Sequence, residues 1–122
     1  MAEDTTAANC IFCKIVRGEI PSQKVYEDDE LLAFKDVRPA APVHVLLAPK
    51  RHIASLYEVD LEHRPLLGRM LGLTGRIARE EGATEGFRTI VNTGRVGGQE
   101  VYHLHIHVIG GPKPLGPMIV RQ

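Results

Sequence analysis

The segment that most constrains the structure of this chain is V-Y-H-L-H-I-H-V-I-G-G, in which His103, His105 and His107 occupy every second position. Alternate side chains of a β-strand leave opposite faces of the sheet, so a strand here would project the three imidazoles together. We predict a strand over residues 101–109, with the imidazoles at a functional site and the intervening apolar residues facing the core. Those apolar residues are Leu104, Ile106 and Val108.

Imidazole is the side chain that can donate, accept, titrate or attack as a nucleophile near neutral pH. The pattern therefore favours a site that handles protons or forms a covalent bond to its substrate. Two other interpretations stay open on spacing alone. The histidines could be the polar face of a half-buried strand, or alternate imidazoles could bind one metal ion.

A glycine-rich loop, G-R-V-G-G-Q, comes shortly before the histidines. Gly94, Gly97 and Gly98 permit positive φ and close backbone approach, so N–H groups over residues 98–101 could face an anion. The loop has neither the G-x-x-x-x-G-K-[ST] nor the G-x-G-x-x-G pattern, and a plain hairpin turn is the alternative. An anion-binding loop that leads into a histidine strand favours phosphate chemistry, in which a neutral imidazole attacks phosphorus.

The remaining patterns predict an α+β fold with a mostly antiparallel sheet. Asn9 is predicted to cap a short helix that ends at Gly18, and a hairpin is predicted around the acidic turn 27–30. The predicted strands are residues 23–26, 31–34, 43–48 (closed by Pro49), 87–93 and 101–109.

One long helix is predicted over residues 61–81, where apolar residues recur at helical spacing. Pro65 is tolerated only in the first turn, so the helix should start between Asp60 and Pro65, and Gly82 is a plausible stop. His63, near that start, has no evident partner in the sequence, and we interpret it as a solvated surface residue.

Composition limits the class of protein. The 122 residues contain 15 basic and 15 acidic side chains, so no charge excess indicates nucleic acid, and no apolar run approaches a membrane span. The opening residues are acidic and polar, unlike a signal peptide, which predicts a cytoplasmic protein with a small partner. We expect a polar tail over residues 1–9 and a single domain over residues 10–122. In a reducing compartment, Cys10 and Cys13 are expected to be thiols or metal ligands.

Several of these segments resemble the histidine triad (HIT) family, in particular its Hint-type purine-nucleoside phosphoramidases. H-L-H-I-H-V-I matches the H-φ-H-φ-H-φ-φ motif, in which φ is an apolar residue. The stretches I-F-C-K-I-V-R-G-E-I-P-S, A-F-K-D-V-R-P-A-A-P-V-H, G-G-Q-E-V-Y and P-L-G-P-M are also similar to that branch. The resemblance implies a HIT-like α+β fold with a five-stranded sheet, a short N-terminal helix and one long helix, which pairs into a homodimer with a continuous ten-stranded sheet.

The implied activity is cleavage of the P–N bond of a purine nucleoside 5′-phosphoramidate through a nucleotidyl-histidine, releasing the nucleoside monophosphate with no cofactor for catalysis. By resemblance, His105 is the nucleophile, and His107 and His44 complete the imidazole cluster. Asp36 resembles the ribose acceptor and Asn92 a side chain near the phosphate. The loop contributes Gly98, Glu100 and Val101, and the purine slot consists of Ile11, Phe12, Phe34 and Val37.

Glu100 departs from the family pattern, because many members carry serine there. A carboxylate beside a phosphate would be repelled. We therefore expect the backbone N–H groups of Glu100 and Val101, rather than the Glu100 side chain, to serve the phosphate.

The spacing of C-I-F-C is that of a zinc half-site, and without a preceding strand it does not favour a thioredoxin-type motif. The resemblance implies a structural zinc completed by His52 and His103, which separates a ligand, His103, from the nucleophile, His105. The alternative is that Cys10 and Cys13 are unligated buried thiols.

Three other functions stay open. They are another HIT activity (dinucleoside polyphosphate hydrolysis or nucleotidyl transfer), a zinc hydrolase with His103 and His105 as ligands, and a nucleotide-binding scaffold with vestigial activity. The sequence names neither the physiological amine nor the preferred purine. The resemblance also places the C-terminal segment P-L-G-P-M-I-V-R-Q near the site of a partner subunit.

Overall fold

The computed structural model describes residues 6–119, which form one five-stranded antiparallel sheet with a helix on each face. The strand order is β1-β2-β3-β5-β4. The elements are α1 (Ile11–Val16), β1 (Lys24–Glu27), β2 (Leu31–Lys35), β3 (Val43–Pro49), α2 (Arg64–Glu80), β4 (Phe87–Ile90) and β5 (Ile106–Gly110). The predicted α+β class, with a mostly antiparallel five-stranded sheet, a short N-terminal helix and one long helix, is confirmed.

Alternation along the central strands divides the buried side chains between two cores. On one face, α2 packs Met70 and Ile77 against residues that include Val45, Leu47 and Val108. On the other face, α1 packs Phe12 and other residues against the opposite sides of the same strands. That second group comprises Cys10, Cys13, Ile15, Leu32, Phe34, Leu46 and Ala48.

The histidine segment is strand-like over a shorter stretch than predicted. β5 begins at Ile106, so of the three histidines only His107 lies in the strand. The ladder between β3 and β5 reaches Leu47, and Pro49, which has no N–H to donate, closes β3. The N–H of Leu104 bonds the carbonyl of Ile53 at 2.6 Å instead of a strand partner. The predicted separation of faces holds nevertheless, because Leu104, Ile106 and Val108 all lie in the α2-side core.

The long helix begins one residue before Pro65, as the restriction of proline to a first turn predicts. Residues Leu61–His63 form a 3-10 turn, and α2 starts at Arg64 with Pro65 in its first turn, as predicted. The interpretation of His63 as a solvated residue is wrong. It is buried, and its Nδ1 atom accepts a hydrogen bond from the N–H of Asp60 at 3.1 Å, which completes a capping box.

The first helix has a different cap from the one predicted. Cys10, and not Asn9, is the N-cap of α1, and its Sγ atom accepts a hydrogen bond from the N–H of Cys13 at 3.3 Å. Ala7–Asn9 form a 3-10 turn within the predicted polar tail, whose residues 1–5 lie outside the described residues, as do residues 120–122 of the C-terminal segment. β4 ends at Ile90, three residues before the predicted end at Thr93. Within residues 6–119, no helix has the length and apolar character to cross a membrane.

Candidate active site

The α1 side of the sheet contains a cavity of about 320 Å³. Every residue predicted to bind substrate lines it, together with His105 and His107. These residues are Ile11, Phe12, Phe34, Asp36, Val37, Asn92, Gly98, Glu100 and Val101. His44 does not line the cavity but contacts His107 from behind. The structure thus brings the predicted catalytic and substrate-binding residues together.

His105 is held in one tautomer. Its Nδ1 atom lies 2.7 Å from the carbonyl oxygen of His103, which can only accept, so Nδ1 carries the proton and donates it. The Nε2 atom therefore keeps a free lone pair. Burial lowers the pKa of His105, and Phe12 packs edge-on against the ring at 4.9 Å between centroids. A neutral imidazole with a fixed lone pair has the state that a nucleophile requires.

A second chain of hydrogen bonds sets the tautomers of His44 and His107. The backbone N–H of Ala40 donates to Nδ1 of His44 at 2.9 Å, so the proton of neutral His44 resides on Nε2. That Nε2 lies 2.9 Å from Nδ1 of His107 and 3.4 Å from a carboxylate oxygen of Asp36. When Nε2 donates to His107, the ring proton of His107 is on its own Nε2 atom.

Electrostatics keep this pair of histidines neutral near pH 7. Burial lowers the pKa of His107 to about 4, and the neighbouring His105 and His44 act in the same direction. Burial also lowers the pKa of His44, although the carboxylate of Asp36 opposes that effect. Neutral rings can each donate one proton and accept another, which the chain from Ala40 to His107 requires.

Gln99 fixes the glycine loop, a role that the sequence analysis missed. Its side chain is buried, its Oε1 accepts from the N–H of Gly94 at 2.9 Å, and its Nε2 donates to the carbonyls of Ala54 and Val101. Within residues 6–119, the N–H groups of Glu100 and Val101 have no acceptor. These two amides are therefore available to an anion in the cavity.

The apolar wall of the cavity is built on α1 and β2. Phe12 and Phe34 meet edge to face at 5.3 Å between centroids. Val37, predicted for the purine slot, lines the rim and is 91% exposed. Several other lining residues carry no recognisable signal in the sequence, because the 20–22 connection has no periodicity and charged side chains after a strand look like ordinary surface. They are Ile15, Ile20, Pro21, Ser22, Lys35, Arg38 and Leu46.

A second cluster joins the four residues that the resemblance nominated as metal ligands. Nδ1 of His103 lies 3.2 Å from Sγ of Cys10 and 3.5 Å from Sγ of Cys13, and Nδ1 of His52 lies 3.5 Å from Sγ of Cys13. All four ligand atoms lie within 4.8 Å of one another. Two thiols and two imidazoles are a common donor set for structural zinc.

The surroundings of this cluster also fit a cation. Nε2–H of His103 donates to the carbonyl of Pro49 at 2.6 Å, so its Nδ1 lone pair faces the sulfur atoms. Burial, with Cys10 adjacent, raises the pKa of the Cys13 thiol to about 11. A bound cation would reverse that preference, because metal ligands of this kind bind as thiolates. The cluster is directly linked to the cavity, since the carbonyl of His103, one of its members, positions the ring of His105.

Comparison with known proteins places this geometry in a family. Residues 9–118 match the family model described as "Scavenger mRNA decapping enzyme C-term binding". The chain is 50% identical to the purine nucleoside phosphoramidase of Escherichia coli over 123 aligned positions, which cover 100% of this chain and 98% of that protein. It is 58% identical to protein HitA of Neisseria gonorrhoeae, over 85% of this chain and 97% of HitA. A 14 kDa zinc-binding protein of Brassica juncea is 48% identical, over 83% of this chain and 91% of its own length.

Solved structures of the same family have the same fold. A HIT family hydrolase from Clostridium thermocellum superposes with a TM-score of 0.88 at 44% identity, over 94% of this chain and 100% of that chain. A histidine triad protein from Clostridium difficile gives a TM-score of 0.84 at 45% identity, over 96% and 99%. The fold and the imidazole-lined cavity define a nucleotide hydrolase of the triad type. The chain belongs to the histidine triad family, and it is an enzyme of that family's hydrolase class.

Proposed function

We propose that this protein cleaves the P–N bond of purine nucleoside 5′-phosphoramidates and releases the nucleoside monophosphate. The observation that carries the proposal is the His105 ring, which faces the cavity with Nδ1–H bonded to the His103 carbonyl and a free Nε2 lone pair. The relative from E. coli, with 50% identity over the full chain, carries the name of this activity.

The apolar wall suits a flat heteroaromatic ring. Phe12 and Phe34 supply aromatic edges and Ile11 supplies an aliphatic surface, on which a purine would bury its faces. Asp36 also lines the cavity, and we place the ribose beside it, where its carboxylate can accept from the hydroxyls. The amides of Glu100 and Val101, with the side chain of Asn92, would then surround the phosphate.

In the first step, Nε2 of His105 attacks phosphorus, a new N–P bond forms, and the P–N bond to the amine breaks. The departing nitrogen must gain a proton because an amide anion is too poor a leaving group. We assign that proton to Nε2–H of His107, which lines the cavity and is backed by His44. The negative charge left on the His107–His44 pair balances the positive charge gained by the His105 ring. The His103 carbonyl stabilises the positive charge that develops on the His105 ring, because it accepts from Nδ1–H.

In the second step, water attacks phosphorus and the N–P bond to His105 breaks. His107, now short of a proton, takes one from the water, which returns both rings to their starting states. The nucleoside monophosphate leaves the cavity. Atoms and charge balance over the cycle, because the proton given to the amine is recovered from water.

We assign a structural zinc ion to Cys10, Cys13, His52 and His103, supported by the donor set and by the zinc-binding relative. Bound zinc would cross-link α1 to the segment before β5 and so fix the His103 carbonyl. It takes no part in the chemical steps. A cytoplasmic location belongs to the same proposal, because a reducing environment keeps both thiols, which are unpaired here, available to the metal.

We also propose a homodimer formed through α2 and β4. β4 is an edge strand, and Leu71 and Phe87 are exposed apolar residues on these two elements. Three glycines of α2, at positions 68, 72 and 75, share a helix face, although glycine costs about 1 kcal/mol in a helix interior. An added Cβ at Gly68 or Gly72 would meet nothing within 4 Å in the single chain. The absence of side chains is explained if a second copy approaches this face, which sedimentation would test.

The experiment for the proposed reaction is intact-mass spectrometry after rapid mixing with adenosine 5′-phosphoramidate, with release of the monophosphate followed in parallel. We expect a transient adenylyl adduct in the wild type and neither adduct nor product with His105→Ala. Unchanged turnover in that variant would contradict the mechanism. Adduct formation from a dinucleoside polyphosphate but not from the phosphoramidate would favour another HIT activity.

A further inference from the structure

Glu100 is an acidic side chain that lines the cavity proposed to bind a phosphate. It is exposed, it lines the same cavity as His105 and His107, and it forms no hydrogen bond or ion pair with any residue from 6 to 119. Its own backbone N–H, with that of Val101, is free to face the phosphate.

The other charged residues of the cavity do not neutralise Glu100. Lys35 pairs with Glu81 at 3.7 Å, and Asp36 accepts from the N–H of Arg38 at 2.8 Å and approaches His44. No ion pair joins Arg38 to Glu100 in the part of the chain that the structure describes. A carboxylate in this position opposes the binding of a phosphate, and no ion pair within residues 6–119 offsets that cost.

The geometry of the displacement at phosphorus indicates which group could offset the repulsion between Glu100 and the phosphate. In-line attack by His105 places the leaving group on the far side of phosphorus. The purine would occupy the apolar wall and the ribose the Asp36 end, so the leaving group must extend along the exposed rim. Glu100 belongs to that rim, and its backbone N–H is one of those that would face the phosphate. The first group beyond the amine therefore passes near its carboxylate.

We infer that Glu100 selects substrates whose leaving amine carries a second, positively charged group, that is, phosphoramidates formed on one nitrogen of a diamine. The inference rests on the phosphoramidase activity proposed above and specifies its substrate class. The substrate's own cation then pairs with the carboxylate that would otherwise repel its phosphate.

The test compares two adenosine 5′-phosphoramidates that differ only at the remote end of the amine. One carries an N-(5-aminopentyl) group, which is charged at pH 7, and the other carries its N-acetylated form, which is neutral. We expect the wild type to favour the charged substrate by about fivefold in kcat/KM at low salt, with the preference shrinking at 0.5 M salt. A second pair of substrates, N-(2-aminoethyl) and its N-acetylated form, tests how long the chain between the amine and the charged group must be to reach Glu100.

Three variants make the assignment specific. Glu100→Gln should reduce the ratio of kcat/KM for the charged substrate to that for the acetylated one to about one, because it keeps the shape of the side chain and removes its charge. Glu100→Lys should invert it in favour of an N-(5-carboxypentyl) substrate. The matched control is Glu85→Gln, which changes an exposed glutamate outside the cavity and should keep the wild-type preference.

The inference would be overturned if the wild type cleaved the charged and the acetylated substrates with equal kcat/KM at low salt, for both chain lengths. It would also be overturned if Glu100→Gln kept the wild-type preference for the charged substrate. Cleavage of the acetylated substrate by the wild type, with its loss in His105→Ala, shows independently whether the phosphoramidase activity exists. If the wild type cleaves neither substrate, the proposed function fails and the inference fails with it.

Discussion

Nε2 of His44 lies 2.9 Å from Nδ1 of His107, although the two residues are 63 positions apart in the chain. In the ladder between β3 and β5, His44 is opposite Ile109 and His107 is opposite Leu46, so the rings meet on a diagonal of the sheet. A slip of one residue in this register would turn one of the rings to the α2 side. The pairing of two buried strands therefore determines the proton positions at the active site.

The diagonal contact predicts unequal costs for two substitutions of His44. His44→Ala removes the donor to His107 and should lower kcat by about tenfold to a hundredfold, less than His105→Ala, because it removes one supporting interaction and leaves the nucleophile intact. His44→Gln keeps an N–H donor and should retain more activity. Single-turnover measurement of adduct formation checks both variants, and equal rates in the two would contradict the donor role.

Buried neutral imidazoles predict that acid destabilises the fold. The pKa of His107 is about 4 in the folded chain and about 6.5 in an unfolded one. Between these values the unfolded state binds a proton that the folded state does not, so the free energy of unfolding should fall as the pH falls from about 6.5 toward 4. Urea denaturation between pH 7.5 and 5 measures this dependence.

The matched variant for this measurement is His107→Gln, which removes the titrating ring. We expect a shallower pH dependence than in the wild type. Some dependence should remain, because burial also lowers the pKa of His44. Ion-paired carboxylates such as Glu27, whose pKa is lowered by its hydrogen bonds to Lys50 and Lys24, also lower the free energy of unfolding when acid protonates them. That contribution is the same in both proteins. Identical slopes in the two proteins would show that His107 does not contribute.

The cysteine–histidine cluster predicts about one zinc per chain in protein purified without a histidine tag. Cys13→Ser should abolish that metal content and lower the melting temperature, since zinc then no longer joins α1 to the segment before β5. His44→Ala, outside the cluster, should keep the metal. Elemental analysis together with thermal unfolding measures both effects, and a metal-free wild type isolated without chelators would refute the assignment.

Chelation separates this assignment from the zinc-hydrolase alternative. If zinc is structural, brief treatment with a chelator should leave adduct formation at His105 intact for as long as the fold persists. Loss of the first turnover while the circular dichroism spectrum is unchanged would indicate a metal that takes part in the chemistry.

Gln99 predicts a link between the glycine loop and catalysis. Gln99→Ala removes the hydrogen bonds to Gly94, Ala54 and Val101 and should cost about 1–3 kcal/mol of stability, because it leaves backbone groups unpaired. It should also lower kcat/KM, since the amides proposed to bind the phosphate lose their support. Val96→Ala, on the same loop but 92% exposed, is the control and should change neither quantity. Equal behaviour of the two variants would contradict the role of Gln99.

The sequence predicted these features unevenly, for physical reasons. Periodicity identified α2 because its apolar residues recur over many turns, and alternation identified the opposite faces around His105. The start of β5 was misplaced because Pro49, on another strand, removes the partner for residues before Ile106, which is a tertiary effect. His63 was misinterpreted because its partner is the N–H of Asp60, and a backbone donor leaves no trace in the side-chain pattern.

The site was more predictable than the fold boundaries, since its residue types are rare and chemically specific. The resemblance of the segment A-F-K-D-V-R-P-A-A-P-V-H to the family carried the expected positions of Asp36 and His44. Gln99 was missed because a glutamine beside glycines looks like any loop residue.

The first turn of α1 contributes residues both to the cysteine–histidine cluster and to the cavity. Cys10 and Cys13 belong to the cysteine–histidine cluster, whereas Ile11 and Phe12, between them, line the cavity, and Phe12 touches both His103 and His105. A library that varies Ile11 and Phe12 to alter base preference would therefore also perturb the turn that carries two of the proposed zinc ligands. With zinc bound as proposed, selections of that kind should be run at a fixed zinc concentration, because otherwise metal supply would act as a second selection pressure on the cavity.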